Sequence, residues 1–340
     1  MRYSLEQAFI LPLPKYRGPH FSEKNLQDET AEHNQIEFWR SFLDKIRDRK
    51  MSWEQFSTYL PSSPEEILMH PSVQLASDRK GQTFLHLAVL QEQNGWVDFL
   101  GGDIQLRQRR NNFGLTALEL AQFLHRLPCI ESLGGFSDAE FCSQVNVAIE
   151  RSVEKIKNLF YLPYPIFENE DILDEVLEQS SKAKLEDKIP SEKIWMGIYF
   201  DKEIQTGLNP RISIRYINDR VGLGVFAEQK IHSCSFVGEY TGIVKERCKS
   251  YLKNKTYCVR YPSWQTGRRQ FIIDAEAHGN YTRFINHSAN PNVGLQSVYW
   301  RGMPRMIFIT LKEIPEGTQL TFDYGGSFWK EMNQTPTLLL

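Results

Sequence analysis

The 340 residues are enough for two or three modest domains, and 41% hydrophobic with 12% aromatic residues describes a folded chain rather than a disordered one. The formal net charge is −2, and no apolar run reaches the length of a membrane span. Five cysteines, none in a CxC or CxxC pair, argue against a disulfide framework or a cysteine-built zinc site, and for reduced thiols in a cytosol-like compartment. The small net charge hides an asymmetry. Residues 211–330 hold 17 Lys and Arg against 9 Asp and Glu, while the remainder holds 23 against 33. An acidic part of this kind can attract a basic partner.

Residues 1–34 read as a leading segment. Their short apolar patch is broken by Glu6 and two prolines, so no cleaved signal is expected. Residues 35–60 show helical spacing of Phe38, Trp39, Phe42, Leu43 and Ile46. Next comes an internal repeat: DRKGQTFLHLAVL at 78–90 and NNFGLTALELAQF at 111–123. Gly81 matches Gly114, Thr83 matches Thr116, Leu85 matches Leu118 and Ala88 matches Ala121, each 33 residues apart. The period and the G-x-T-x-L-x-L-A pattern resemble ankyrin repeats, with units expected at 78–110 and 111–135. Two such units bury too little apolar surface alone. Capping helices are therefore expected over 35–60 and over 137–160, where Ser137 to Glu140 give a helix start and Val145, Val147, Ile149, Val153 and Ile156 follow. Residues 35–160 are thus expected to form a helical domain whose ankyrin-like surface docks a substrate or partner protein. Residues 161–210, with Glu168, Glu170, Asp171, Asp174 and Glu175, read as an acidic helix and linker.

From residue 211 the texture becomes that of many short strands: RISIRYI, FVGEYTGIV, TYCVRY, QFIIDA, RMIFITL and QLTFDY between glycine- and asparagine-rich turns. Four segments stand out in order. Gly222-Leu223-Gly224 is followed by no long helix, which disfavours a nucleotide-binding βαβ unit; its glycines can let a backbone approach a ligand. The second is FVGEYTG at 236–242. The third, RFINHSANPN at 283–292, gathers so many side-chain amides beside Arg283 and His287 that a polar network is implied. The fourth is GTQLTFDYG at 317–325.

Together these segments resemble the SET domain of protein lysine methyltransferases, over residues 211–330, with 331–340 left as a tail. The resemblance implies a multidomain α+β chain: an N-terminal helical, ankyrin-like domain followed by a mostly β SET fold with a pseudoknot. It also implies S-adenosylmethionine as methyl donor and a protein lysine as acceptor, with histones or histone-like proteins as the default substrate. The acceptor amine must lose its proton before it attacks, and an apolar channel favours its neutral form. Tyrosine hydroxyls and carbonyls can aim it at the methyl group. By resemblance Tyr324 and Tyr240 are catalytic, and Tyr257 and Phe322 line the lysine channel. Gly222, Leu223, Gly224, Arg283, Asn286 and His287 contact the cofactor. Phenylalanine at 322, two positions before the catalytic tyrosine, implies di- or trimethylation.

The cysteines that bind zinc in many members are absent: Ala289 stands after NHS, and no cysteine follows Cys258. No metal is expected, and Phe328-Trp329 is the candidate substitute, with Trp329 stacking on the adenine. Ankyrin repeats beside a zinc-free SET domain are similar to proteins that intracellular bacteria deliver into host cells; a eukaryotic source stays open. Two alternatives stay open: an interaction protein with a non-catalytic SET domain, and an enzyme for a single non-histone protein. The basic residues of 211–330 form no nucleic-acid reading motif.

Overall fold

The computed structural model describes residues 23–59, 71–135, 147–149, 160–248, 256–264, 269–326 and 328–329. Helix α1 (Glu23–Arg47) buries Phe42, Leu43 and Ile46, while Phe38, expected on the same stripe, is 53% exposed. The single helix expected over 35–60 is two. The chain turns at Arg49, whose φ is +55°, and restarts as α2 (Trp53–Ser57). Ser52 and Gln55 form a reciprocal cap there, which supplies partners for backbone donors at the new helix start.

After α3 (Pro71–Leu75) the 33-residue offset is repeated in the hydrogen bonding. The Oδ1 of Asp78 accepts from the backbone N–H of Lys80 and Gln82, and the Oδ1 of Asn111 accepts from those of Phe113 and Leu115. Gly81 and Gly114 follow at φ +73° and +86°, a backbone that glycine adopts without steric cost. Thr83 and Thr116 then cap α4 (Phe84–Leu90) and α7 (Ala117–Phe123). Each of these helices pairs with a second, α5 (Asn94–Leu100) and α8 (Leu127–Ser132), with α6 (Ile104–Gln108) between the units. The turns stack directly, because Asn112 donates from its backbone N–H to Lys80 O and from Nδ2 to Arg79 O. His86 ties the units from inside. Thr83 N–H donates to its Nδ1, which leaves Nε2 to donate to Leu115 O at 3.0 Å.

The helix expected over 137–160 is corrected at Val147–Ile149, which form strand β1, parallel to β4 (Ile212–Asn218). The Val145, Val147, Ile149 alternation suits a strand as well as a helix, and pairing with β4 decides it. Phe160, the last residue of that span, belongs to strand β2 (Phe160–Tyr161), and its other residues lie outside the described residues, as do 1–22 and 330–340. Residues 161–210 are also more structured than a helix and linker. They hold α9 (Glu170–Leu185), α10 (Ser191–Tyr199) and α11 (Asp201–Thr206), preceded by β2 (Phe160–Tyr161) and β3 (Ile166–Phe167). Asn169 caps α9, which buries Ile172, Leu173, Val176 and Leu177 and leaves Asp171 and Glu178 exposed.

The β region consists of small sheets. One has the order β1-β4-β5, with β5 at Gly222–Ala227. A second, β12-β13-β6, joins Val293–Trp300, Met303–Thr310 and Phe236–Glu239. A third, β3-β7-β9-β8, adds Ile243–Glu246, Phe271–Asp274 and Cys258–Arg260. β10 (His278–Gly279) pairs with β2, and β11 (Asn286–His287) runs parallel to β14 (Thr321–Phe322). The run FVGEYTGIV, read as one strand, breaks between β6 and β7. At Gly242 the backbone passes so near Asp274 that an added Cβ would lie 2.5 Å from its carbonyl oxygen.

The helical and β parts meet at the β12–β13 hairpin. Arg301 and Gly302 form its two-residue turn at φ +44° and +90°, as a type I′ turn requires. The guanidinium of Arg301 donates to Glu119 of α7 at 2.9 Å and to Asp201 of α11 at 3.2 Å. A Cβ on Gly302 would fall 2.0 Å from Phe113 O.

Candidate active site

The site forms where three chain segments cross. β11 lies against β14 in the register Asn286↔Thr321 and His287↔Phe322. Asn292, nearly fully buried, fixes the crossing: its Nδ2 donates to Gln319 O and its Oδ1 accepts from Thr321 N–H, both at 2.8 Å. Leu223 reaches the same point from β5, where its carbonyl accepts from Asn286 Nδ2 at 2.8 Å. This contact explains the second glycine of the GxG. A Cβ on Gly224 would meet Ile217 Cδ1 at 2.6 Å and Gln319 Nε2 at 2.9 Å. Gly222 has open space around it, and its φ of +80° is the reason for glycine there.

One side of the crossing opens into a cavity of about 300 Å³ that holds Tyr240, Tyr257, Arg283, Phe322 and Tyr324. Tyr240 is buried and donates its hydroxyl to Tyr257 O at 2.9 Å. Tyr324 donates to Ile285 O at 3.2 Å. Burial pushes both phenols above their usual ionisation range, so both stay neutral. Each hydroxyl spends its proton on a carbonyl and keeps lone pairs to accept. The Phe322 ring packs on Phe308 and Tyr324, with centroids 4.9 and 4.7 Å away. Arg283 stands on this cavity side. Its guanidinium stacks 3.8 Å from the Tyr257 ring centroid and donates to Ala275 O and Glu276 O.

On the other side lie Leu223, Gly224, Asn286, His287 and Trp329. His287 Nδ1 accepts from Tyr324 N–H at 3.2 Å, which couples this side to the catalytic candidate. Trp329 meets His287 edge-on, with centroids 4.9 Å apart, and lies nearly parallel to Tyr324 at 5.9 Å, while Phe328 lines the cavity. Two buried donors here, Gln319 Nε2 and Trp329 Nε1, have no partner among the described residues. Among those residues no group of three His, Cys, Asp or Glu side chains could hold a metal ion. Of the residues named from sequence, Tyr240, Tyr257, Arg283, Phe322 and Tyr324 thus share one cavity, Leu223, Gly224, Asn286, His287 and Trp329 are joined by the contacts given above, and Gly222 has open space around it. Sequence reasoning missed the carbonyls of Ile285 and Tyr257, the amide of Gln319, and Arg247 and Arg260 on the cavity wall.

Comparison with known proteins agrees with this geometry. Residues 222–325 match the family described as the SET domain. Over 114 residues the chain is 37% identical to the histone-lysine N-methyltransferase SETD2 of Homo sapiens, and equally to that of Mus musculus, covering 32% of this chain and 4% of those proteins. It is 38% identical over 109 residues to the histone-lysine N-methyltransferase NSD3 of Mus musculus, covering 31% of this chain and 8% of that one. A probable histone-lysine N-methyltransferase, set-23 of Caenorhabditis briggsae, is 32% identical over 136 residues, covering 37% of this chain and 56% of its own. The chain spans less than two thirds of each. It carries, in its C-terminal half, a SET domain homologous to those of histone-lysine methyltransferases.

Proposed function

We propose that this protein transfers a methyl group from S-adenosylmethionine to the side-chain amine of a lysine in a protein, of histone or histone-like type. The observation that carries the reading is the pairing of two neutral tyrosine hydroxyls, Tyr240 and Tyr324, across one cavity, each committed as donor to a backbone carbonyl. S-adenosylmethionine supplies an electrophilic methyl group and leaves as a neutral thioether. The residues to hold it are Gly222, Leu223, Gly224, Asn286, His287 and Trp329; the unpartnered donors of Gln319 and Trp329 support a polar ligand at that wall.

The acceptor lysine enters past Tyr257 and Phe322 and loses its proton to water before reaction, since neither buried phenol is a phenolate at neutral pH. Tyr240 and Tyr324 accept from the amine and orient its lone pair. With the cofactor bound, their oxygens and the Ile285 carbonyl would be the acceptors for weak C–H···O contacts from its polarised methyl group. Arg283 keeps Tyr257 and the 275–276 backbone in place. The helical half, read as ankyrin-like repeats, docks the substrate or a partner.

The test is transfer of labelled methyl groups from S-adenosylmethionine to histones and to lysate proteins by the full chain, with Tyr324→Phe alongside. Labelling by the wild type and a loss of about a hundredfold or more in the variant is expected. Equal labelling by both removes Tyr324 from the mechanism, and no labelling of any protein overturns the reading.

A further inference from the structure

The cavity that holds the tyrosines has a charged rim of mainly one sign. Arg247 follows β7 and Arg260 ends β8, and both line the cavity together with Arg283. Asp323 is the only carboxylate among the described lining residues, and it sits beside His287 with its Oδ1 3.6 Å from Nδ1. The three arginines differ in availability. Arg283 is committed to two carbonyls and to the Tyr257 ring. Arg247 contacts Gln270 Oε1 at 3.4 Å and is engaged by a further interaction, so it adds charge to the rim rather than an open fork. Arg260 is exposed, and no described residue pairs with its guanidinium. Of the nearby acids, Glu246 is taken by Arg269, and Asp274 lies 3.4 Å from Lys245.

On the reading of the site as a lysine methyltransferase, we propose that this rim selects an acceptor lysine flanked by a carboxylate side chain, with Arg260 as the specificity-determining residue. The planar guanidinium fork matches a carboxylate through two parallel hydrogen bonds, stronger than neutral ones. A lysine or arginine beside the acceptor would instead meet the like charge of Arg260, which disfavours it. The flank is a separate matter from the charge of the whole substrate. The acidic remainder of the chain can attract a basic protein, while the rim chooses an acid-flanked lysine within it.

The experiment uses the full chain, S-adenosylmethionine with a labelled methyl group, and peptides that share one acceptor lysine and differ only in whether its neighbours are Glu, Gln or Lys. Whole histones serve as a second acceptor. The Glu-flanked peptide should exceed the Gln-flanked one by about tenfold in kcat/KM, the size of one charge-assisted hydrogen bond, and the Lys-flanked peptide should fall below both. Added salt should narrow the gap. Arg260→Gln should reduce the preference, and Arg260→Glu should reverse it. Melting temperatures of the variants show that they remain folded. Equal rates on all three peptides, a preference for Lys flanks, or an unchanged ratio in folded variants overturns the proposal alone. No transfer to any peptide or histone overturns it together with the methyltransferase reading.

Discussion

Phe322 borders the cavity with a ring that carries no hydroxyl, and its edge contact with Phe308 and tilted contact with Tyr324 fix where a para oxygen would go. Phe322→Tyr would add that oxygen beside the amine position, where it takes up room and accepts a hydrogen bond. Mass spectrometry of the product should show a shift from di- and trimethyl-lysine to monomethyl-lysine; monomethyl product from both proteins would sink this role. The protonation states give a second expectation. Burial holds Tyr240 and Tyr324 above the usual tyrosine pKa of about 10. The rate should therefore rise with pH through ionisation of the acceptor amine and show no falling limb below pH of about 10. A fall in kcat/KM near neutrality, with the protein still folded, would contradict it. These side chains could be picked out in sequence because the segments that carry them are contiguous: EYTG, RFINHS and LTFDYG. Their partners could not. The carbonyls of Ile285, Tyr257 and Leu223 carry no residue-type signal, and the stacking of Arg283 on Tyr257 joins residues 26 positions apart through the fold alone.

At the scale of the element, the repeat was readable because each unit spends its side chains locally: Asp78 or Asn111 on its own turn, Thr83 or Thr116 on its own helix. The failures came where a distant partner decided. The 137–160 helix gave way at Val147–Ile149 because β4 offers an edge, and the 35–60 helix stopped because Ser52 caps a new start. The repeat pair also carries a pH dependence. His86 is fully buried between the units, and desolvation lowers its pKa from 6.5 to about 4. Between those values the unfolded chain binds a proton that the folded chain refuses, so stability is complete above pH of about 6.5 and is lost as pH falls towards 4. The limiting loss is about 3 kcal/mol. His86→Gln keeps a donor for Leu115 O and removes the titration. Denaturant midpoints at neutral and mildly acidic pH should move less in the variant than in the wild type, and an equal drop in both would remove His86 as the cause.

At the scale of the whole molecule, the two halves are joined by a fit too close to tolerate a side chain. The Arg301–Gly302 turn can point into the repeat finger only because Gly302 takes φ +90° and lets Phe113 O approach its Cα. Arg301 then ties Glu119 to Asp201, and Lys80 reaches Asp174 of α9 at 2.7 Å. Gly302→Ala combines a backbone conformation that costs about 1–2 kcal/mol with a clash that forces the halves apart. It should lower the melting temperature and split one transition into two. The candidate site lies at the end of the β12–β13 hairpin opposite this turn, held by its own bonds through Asn292 and Asn286, so the variant should keep its kcat/KM on a short peptide. If the helical half docks the substrate as proposed, the same variant should show a higher KM on a folded protein substrate, because such a surface acts on the reaction only while it is held in register with the cavity. Wild-type melting and wild-type KM for the protein substrate would mean that the contact at Phe113 neither joins the halves nor presents the substrate.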